Sequence, residues 1–334
     1  MLERARGAGQ DRAAQDAPIR RGSMKPEILQ TGLMPAIQAA LEDRYVVHRL
    51  FEASDHKAFL AEVGPRVRAI VTGGNYGAGA ALIDALPELG LIAVHGVGTD
   101  AVDLPRCQSR AIRVSVTAGV LTEDVADMAI GLLLAIARRL AEGDRYVRAG
   151  KWPKERFALG RKVTGKRLGI LGFGRIGQAI ARRAAGFEME ISYHDLRPVE
   201  GSPHRFAGSP DELAAGCDFL VIAAAASAAT RGLVGRSVLD ALGPDGMLIN
   251  VARGSIVDEP ELVAALRDGR IAGAALDVFA DEPNVPEALW SLDNVVLQPH
   301  QASATVETRI RMGENVLANL EAFFAGRELP TPFP

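Results

Sequence analysis

Short apolar runs alternate with longer stretches of helical spacing along the chain, beginning at Glu27. Strands of a parallel sheet are buried on both faces and therefore form short apolar runs, whereas connecting helices repeat their apolar residues with a period of about 3.6. The first part of the chain thus predicts an α/β unit with a parallel sheet. Its predicted strands are Glu27–Gln30, Tyr45–Arg49, Arg68–Val71, Leu91–Val94 and Arg113–Ser115.

A long helix separates this unit from a second one with the same alternation. The helix is predicted from Thr122, whose hydroxyl can cap the following amides, to about Arg148. A last amphipathic helix is predicted from Thr305 to Gly326, where the glycine can end it. Between the two helices, the predicted strands are Arg167–Leu171, Glu190–His194, Phe219–Ala223, Met247–Val251, Ala272–Val278 and Val295–Gln298.

Composition narrows the class of protein. With 334 residues, 48% of them hydrophobic, and a net charge of −3, the chain is long enough for two domains and has no positive excess to attract nucleic acid. The longest apolar stretch, Met128–Ala137, is about half of a membrane span, which predicts a buried helix and no membrane partner. Cys107 and Cys217 stand far apart without a metal-ligand spacing such as C-x-x-C, so the sequence supports neither a disulfide framework nor a metal site. This favours a reducing cytoplasm. Residues 1–23 are polar, and we expect them to be disordered.

A glycine-rich turn follows the first strand of the second unit. In dinucleotide-binding folds, the first glycine allows a tight turn, the second lets the backbone approach the pyrophosphate, and the third lets the helix pack on the strand. The phosphates then face the helix N-terminus. The turn GFGRIG has this spacing, so the predicted cofactor-binding residues are Gly172, Phe173, Gly174, Arg175, Ile176 and Gly177.

Asp195 lies at the end of the next predicted strand, where it can select the cofactor. Its carboxylate can accept hydrogen bonds from the ribose hydroxyls of NAD and would repel the 2′-phosphate of NADP. Arg197 acts in the opposite direction, because a guanidinium can neutralise the aspartate or bind a phosphate itself. The sequence therefore favours NAD, with NADP as the alternative.

Three residues of complementary chemistry follow strands of the second unit: Arg253, Glu282 and His300. Because the carboxyl ends of parallel strands border one crevice, we expect these side chains to converge beside the nicotinamide. A guanidinium can hydrogen-bond both the carboxylate and the carbonyl oxygen of a 2-keto acid. An imidazole can exchange the proton of the hydroxyl, while a carboxylate orients the ring and stabilises its charged form. The three residues are the predicted catalytic group.

From about Glu27 to Pro332 the chain resembles the D-isomer-specific 2-hydroxyacid dehydrogenases. Within them it is similar to the branch of glyoxylate/hydroxypyruvate reductases and hydroxyphenylpyruvate reductases. The resemblance lies in HGVGTDAVDL, VLTEDVADMAIGLLLAIARR, RAGKW, LGILGFGRIGQAIARR, INVARGSIVDEPELVAALRDGRIAGAALDVFADEP and LQPHQASATVETR.

The resemblance implies an α/β fold with two Rossmann-like parallel-sheet domains. The dinucleotide-binding domain, residues 119–304, would be inserted into a flavodoxin-like substrate domain made of residues 24–118 and 305–334. It also implies a homodimer, in which the long helix after Thr122 forms much of the subunit contact. Trp152 would reach the partner's pocket, with ordinary packing as the alternative.

The resemblance also implies roles for individual residues. Arg253, Glu282 and His300 match the family's catalytic residues. The amides of Val97 and Gly98 match its carboxylate-binding loop, where main-chain donors hold an anion. The other substrate-site residues are Tyr76 and Ser303, and the other cofactor-site residues are Thr122, Thr230, Val251, Ala252 and Asp277, the last matching a position that meets the nicotinamide carboxamide.

We therefore expect an NAD-dependent enzyme that reduces a small 2-keto acid, glyoxylate or hydroxypyruvate, to the D-hydroxy acid. An aryl pyruvate such as hydroxyphenylpyruvate is the near alternative, since Tyr76 and Met34 can shape the pocket for either. A formate dehydrogenase is disfavoured because, by resemblance, those enzymes pair the histidine with an amide. A corepressor-like, NAD-responsive binding protein is the alternative from another class, and residues 1–23 are the only tail it could use.

Overall fold

The computed structural model describes residues 24–74 and 76–333, and the predicted disorder of residues 1–23 lies outside them. The first sheet has five strands in the order β2-β1-β3-β4-β5, and all neighbouring pairs are parallel. This order is flavodoxin-like. Its elements are β1 Glu27–Gln30, α1 Gln38–Arg44, β2 Val46–Arg49, α2 His56–Val63, β3 Val67–Gly73, α3 Ala80–Asp84, β4 Leu91–His95, α4 Leu104–Ser109 and β5 Arg113–Ser115.

The second sheet has seven parallel strands in the order β12-β11-β10-β9-β6-β7-β8. Its chain order reverses between β6 and β9, which is the Rossmann arrangement with a crevice at the switch point. The elements from the first linking helix onward are α5 Thr122–Ala137, α6 Leu140–Arg148, β6 Arg167–Leu171, α7 Arg175–Ala184, β7 Glu190–His194, β8 Arg205–Phe206, α8 Pro210–Ala215, β9 Phe219–Ile222, α9 Arg236–Leu242, β10 Met247–Asn250, α10 Glu259–Arg267, β11 Gly273–Leu276, α11 Glu287–Trp290, β12 Val295–Leu297 and α12 Val306–Phe324.

The two long helices pack on different sheets. On α5, Ala129 and Leu133 share a buried cluster with Ile170 of β6, so α5 covers the second sheet. On α12, Leu320 packs in a cluster with Leu91 of β4, so the C-terminal helix covers the first sheet. The predicted division into residues 24–118 plus 305–334 and residues 119–304 stays a prediction, and this packing supports it.

The predicted single helix from Thr122 to Arg148 is wrong. Arg139 has the left-handed φ of 53° and separates α5 from α6. The loop that enters the second sheet explains the break, because the amide of Arg161 donates a 2.6 Å hydrogen bond to the carbonyl of Ala137. That carbonyl at the end of α5 is thereby satisfied by a residue 24 positions later in the chain, so the helix need not continue.

Two smaller predictions are also wrong. Tyr45 ends α1 rather than starting a strand, since its amide bonds to Leu41 and its ring is buried against Phe324 of α12. Thr122 is the first residue of α5 and makes no cap, because the N-cap position belongs to Leu121. In the described part of the chain, no helix has both the length and the apolar character to cross a membrane.

Candidate active site

The glycine turn between β6 and α7 has the backbone that the sequence predicts. Gly172 has a φ of +92°, and a β-carbon there would lie 2.4 Å from the backbone of Ala224. A β-carbon at Gly177 would lie 2.2 Å from the carbonyl oxygen of Gly172, so α7 packs directly on the turn. A β-carbon at Gly174 would meet no atom within 4 Å, so this glycine borders open space at the start of α7. The turn therefore fits a pyrophosphate laid over Gly174.

Alanine at the first two glycines of the turn should separate stability from cofactor binding. Gly172→Ala should lower the free energy of unfolding by about 2–5 kcal/mol, because it adds a strained φ and a backbone clash. Gly174→Ala should change that free energy by less than about 0.5 kcal/mol yet weaken NADH binding at least tenfold, since its methyl group occupies the phosphate approach. Urea unfolding and NADH fluorescence titration measure the two effects. Tight NADH binding by Gly174→Ala would contradict the assignment.

Asp195 follows β7 and bonds to the glycine turn. Its carboxylate accepts hydrogen bonds from the amide of Phe173 at 2.7 Å and from its neighbour Leu196 at 2.7 Å. The Phe173 ring is itself buried and stacks on Tyr193, with 4.1 Å between the ring centroids. Asp195 therefore shapes the turn as well as placing a negative charge beside it.

His300 and Glu282 form a hydrogen-bonded pair between the ends of β11 and β12. Nδ1 of His300 lies 2.7 Å from Oε2 of Glu282, and the other carboxylate oxygen accepts the amide of Phe279 at 3.1 Å. Burial raises the pKa of the Glu282 carboxyl, but the hydrogen bond and charge of His300, together with the Phe279 amide and the charge of Arg253, outweigh it, so this pKa lies below its ordinary value. A carboxylate can only accept hydrogen bonds, so Nδ1 of His300 carries a proton and donates it in the hydrogen bond to Glu282. The other ring nitrogen, Nε2, is then the atom that can exchange a proton with the substrate.

Asp277, at the end of β11, fixes the backbone of His300. Its carboxylate accepts the amides of Gln301 at 2.7 Å and Ala302 at 2.9 Å, while its own carbonyl accepts the amide of His300 at 2.8 Å. These bonds hold His300 at a φ of 54°, a conformation that non-glycine residues seldom adopt. The Asp277 carboxyl is fully buried, and burial raises its pKa despite the two amides. Its predicted contact with the nicotinamide carboxamide stays a prediction.

Arg253 follows β10 and reaches across to the first sheet. Its Nε donates to Asp100 at 3.2 Å, and its Nη1 donates to the carbonyl of Ala252 at 2.7 Å. Its Nη2 lies so close over Gly98 that a β-carbon there would be 1.8 Å from it. The positive charge of Arg253 is also one of the causes that lower the pKa of Glu282. The three predicted catalytic residues therefore meet at one place.

A cleft of about 1710 Å³ opens between the ends of the two sheets around these residues. Some of the predicted site residues do not line the cleft: the residues of the glycine turn other than Ile176, and Thr122, Asp195 and Thr230. The hydroxyl of Thr230 donates instead to the carbonyl of Ala225. The predicted site residues that line the cleft are Tyr76, Val97, Gly98, Ile176, Val251, Ala252, Arg253, Asp277, Glu282, His300 and Ser303.

Three titratable residues of the cleft were not predicted from the sequence. Asp100 stands in the matching segment HGVGTDAVDL, but its pairing with Arg253 joins two sheets and has no signal in local spacing. His95 and Arg309 line the first-sheet side of the cleft. Among residues 24–74 and 76–333, no group of three or more His, Cys, Asp or Glu side chains is placed to hold a metal ion.

This fold and cleft define the class of nicotinamide-dependent dehydrogenases. The chain belongs, more narrowly, to a family whose model matches residues 130–302 and is described as D-isomer specific 2-hydroxyacid dehydrogenase, NAD binding domain. It is therefore an NAD(P)-dependent oxidoreductase with two parallel-sheet domains, as the sequence predicted.

Relatives of known name match nearly the whole chain. It is 48% identical to hydroxyphenylpyruvate reductase of Plectranthus scutellarioides, over 89% of this chain and 95% of the relative. It is 45% identical to 2-ketogluconate reductase of Gluconobacter oxydans (strain 621H), over 93% of this chain and 99% of the relative. Among solved structures, the NADPH-dependent glyoxylate/hydroxypyruvate reductase of Sinorhizobium meliloti with NADP and malonate has a TM-score of 0.87 at 43% identity, covering 92% of this chain and 97% of that one.

Proposed function

We propose that this protein reduces a small 2-keto acid, glyoxylate or hydroxypyruvate, to the D-2-hydroxy acid. The observation that carries the proposal is the convergence of Arg253 with the His300–Glu282 pair in one cleft, at the edge of a dinucleotide-binding sheet. The names of the relatives support the substrate class, since they include reductases of hydroxypyruvate, glyoxylate and 2-ketogluconate.

The side chains of the cleft divide the chemistry between them. Arg253 would bind the substrate carboxylate and polarise the ketone, with the amides of Val97 and Gly98 as further donors. The bound nicotinamide supplies the hydride. His300 would donate the Nε2 proton to the oxygen as negative charge develops on it, and the Glu282 carboxylate would stabilise the protonated ring. In the oxidative direction, the same nitrogen accepts the hydroxyl proton.

Absorbance at the nicotinamide band tests the proposal. The protein is mixed with NADH or NADPH and with glyoxylate, hydroxypyruvate or hydroxyphenylpyruvate in turn. We expect the two small substrates to give the higher kcat/KM. If none of the keto acids oxidises either cofactor, the proposed activity is wrong.

An aryl pyruvate is the second candidate substrate, and one feature of the cleft favours it. The Tyr76 side chain is 67% exposed at the cleft, whose lining also includes Leu33 and Met34, so an aromatic substrate would find apolar and aromatic surface there. A higher kcat/KM for hydroxyphenylpyruvate than for hydroxypyruvate would make it the preferred substrate.

We propose NAD as the preferred cofactor because Asp195 places its charge beside the glycine turn. Asp195→Asn should keep an acceptor for the Phe173 amide and remove only the charge, so the kcat/KM ratio of NADH to NADPH should fall about tenfold or more. The same variant of Asp211, which is exposed on α8, is the control. An unchanged ratio in Asp195→Asn would assign the preference to another residue, such as Arg197.

We also propose a homodimer in a reducing cytoplasm. Large apolar side chains are exposed between residues 140 and 159, including Trp152 at 72% and Leu159 at 94%, and a second copy could cover them. Both cysteines are buried and unpaired, which suits a reducing compartment. Sedimentation analysis tests the dimer, and a monomer at micromolar concentration would contradict it.

A further inference from the structure

Arg309 lies in the first turn of α12, and His95 is the last residue of β4, on which α12 packs. Both side chains line the cleft, on the wall formed by the first sheet and the C-terminal helix. They stand apart from the catalytic residues Arg253, Glu282 and His300, which come from the ends of the second sheet. The first-sheet wall of the cleft therefore carries its own polar groups.

The guanidinium of Arg309 is half-buried without a compensating charge. Within residues 24–74 and 76–333, it makes no ion pair and no side-chain hydrogen bond, and burial alone lowers its pKa. The titratable group beside it is His95, whose pKa is held below its ordinary value by burial and then by the charge of Arg309. The guanidinium of Arg309 therefore has N–H donors that no group in the described part of the chain accepts.

A half-buried guanidinium without a partner lowers the stability of the fold, because a charge that loses its hydration must be compensated by an opposite charge or by hydrogen bonds. The backbone of Arg309 makes two bonds of its own: its amide donates to the carbonyl of Thr305, and a backbone hydrogen bond joins Arg309 to the His95 ring. Neither bond gives the guanidinium a partner. When such a residue faces a ligand cleft, the simplest reason for its presence is that it binds the ligand.

We propose that Arg309, with His95 beside it, forms a second polar subsite that binds an oxygen substituent of the substrate beyond its reacting carbonyl. The proposal deepens the proposed function and rests on it. Arg253, Val97 and Gly98 account for the carboxylate and the ketone, but not for the rest of the carbon chain. Arg309 and His95 are polar side chains of the cleft that remain to bind it. The substrate class is then a 2-keto acid with a hydroxyl or carboxylate group on the next carbon.

Three substrates that differ only in this group provide the test: glyoxylate has no further carbon, pyruvate has a methyl group, and hydroxypyruvate has a hydroxymethyl group. In Arg309→Gln, the kcat/KM ratio of hydroxypyruvate to pyruvate should fall on the order of ten- to a hundredfold, because this is the typical contribution of a hydrogen bond from a charged donor. The kcat/KM for glyoxylate should stay within about threefold of wild type. Arg309→Lys keeps the charge and should recover part of the ratio.

Arg311→Gln is the matched control, because Arg311 is exposed on the same helix and does not line the cleft. It should leave all three kcat/KM values unchanged. Thermal unfolding supplies a second readout. Arg309→Gln should melt at the wild-type temperature or above it, whereas a structural role for Arg309 would lower the melting temperature.

Two results would overturn the subsite: an unchanged hydroxypyruvate-to-pyruvate ratio in Arg309→Gln, or an equal loss for glyoxylate, which would make Arg309 part of the carboxylate site. Failure of the proposed function looks different, since the wild-type protein would then reduce none of the three. In that case, the melting temperature of the wild type with NAD decides the matter. D-glycerate should raise it more than D-lactate does, and equal shifts would end the proposal.

Discussion

A His300→Asn variant is expected to lose about a hundred- to ten-thousandfold in kcat for keto-acid reduction, while its Kd for NADH stays within about twofold of wild type. The reason is that the imidazole acts on a proton and not on the cofactor. Without a positioned acid, the oxygen of the substrate must take its proton from water as the hydride arrives. Asparagine retains a hydrogen-bonding side chain of smaller size, so the loss reports chemistry more than packing.

Single-turnover rates with a saturating keto acid measure the effect, and NADH fluorescence titration measures binding. His56→Asn is the matched control, because His56 is exposed on α2 and does not line the cleft. Adding Glu282→Gln to His300→Asn should cost little more, since the carboxylate acts through the ring. A His300→Asn enzyme with more than a tenth of the wild-type kcat would remove His300 from proton transfer.

The strands could be predicted from the sequence because a parallel sheet is buried on both faces. Runs such as Arg167–Leu171 and Met247–Asn250 are mostly apolar, and this can be seen without knowing the rest of the fold. The break at Arg139 could not be predicted in this way, because its cause is the amide of Arg161, which arrives from a distant loop. The predicted strand start at Tyr45 was wrong for a similar reason, because the ring that packs on Tyr45 belongs to Phe324, near the other end of the chain.

The convergence of the catalytic candidates was predictable for a different physical reason. Arg253 and His300 each follow a strand of one parallel sheet, and all carboxyl ends of such a sheet lie at one edge. Asp100 and Arg309 belong to the other wall of the cleft. Their roles depend on how two separate sheets face each other, which no spacing within one unit encodes.

The left-handed backbone of His300 illustrates the same limit at a single residue. Local preferences do not favour a φ of 54° for histidine, and the conformation is held by the buried carboxylate of Asp277 through the next two amides. A sequence shows the histidine but not the bonds that aim it. The resemblance to a family supplied Asp277 as a site residue, and the geometry supplies this further reason for it to be there.

Arg253→Met is expected to lower kcat/KM for the keto acid by at least about a thousandfold, because it removes both an anion-binding group and a donor to the developing oxyanion. The NADH Kd should be unchanged. In the structure, Asp100 takes Nε–H and the Ala252 carbonyl takes one Nη1–H, which directs the remaining donors of the planar fork toward the space above Gly98.

This geometry also predicts how the conservative variant behaves. Arg253→Lys keeps the charge but cannot reach Asp100 and two substrate oxygens at once, so it should recover KM in part and leave kcat at least tenfold low. Arg267→Met, at the exposed end of α10, is the control and should behave as wild type. Asp100 follows a strand of the first sheet and Arg253 follows a strand of the second. The guanidinium of Arg253 therefore keeps its orientation only while the two sheets keep their relative positions. An Arg253→Lys enzyme with wild-type kcat would show that charge alone suffices and that the aimed fork has no part in the reaction.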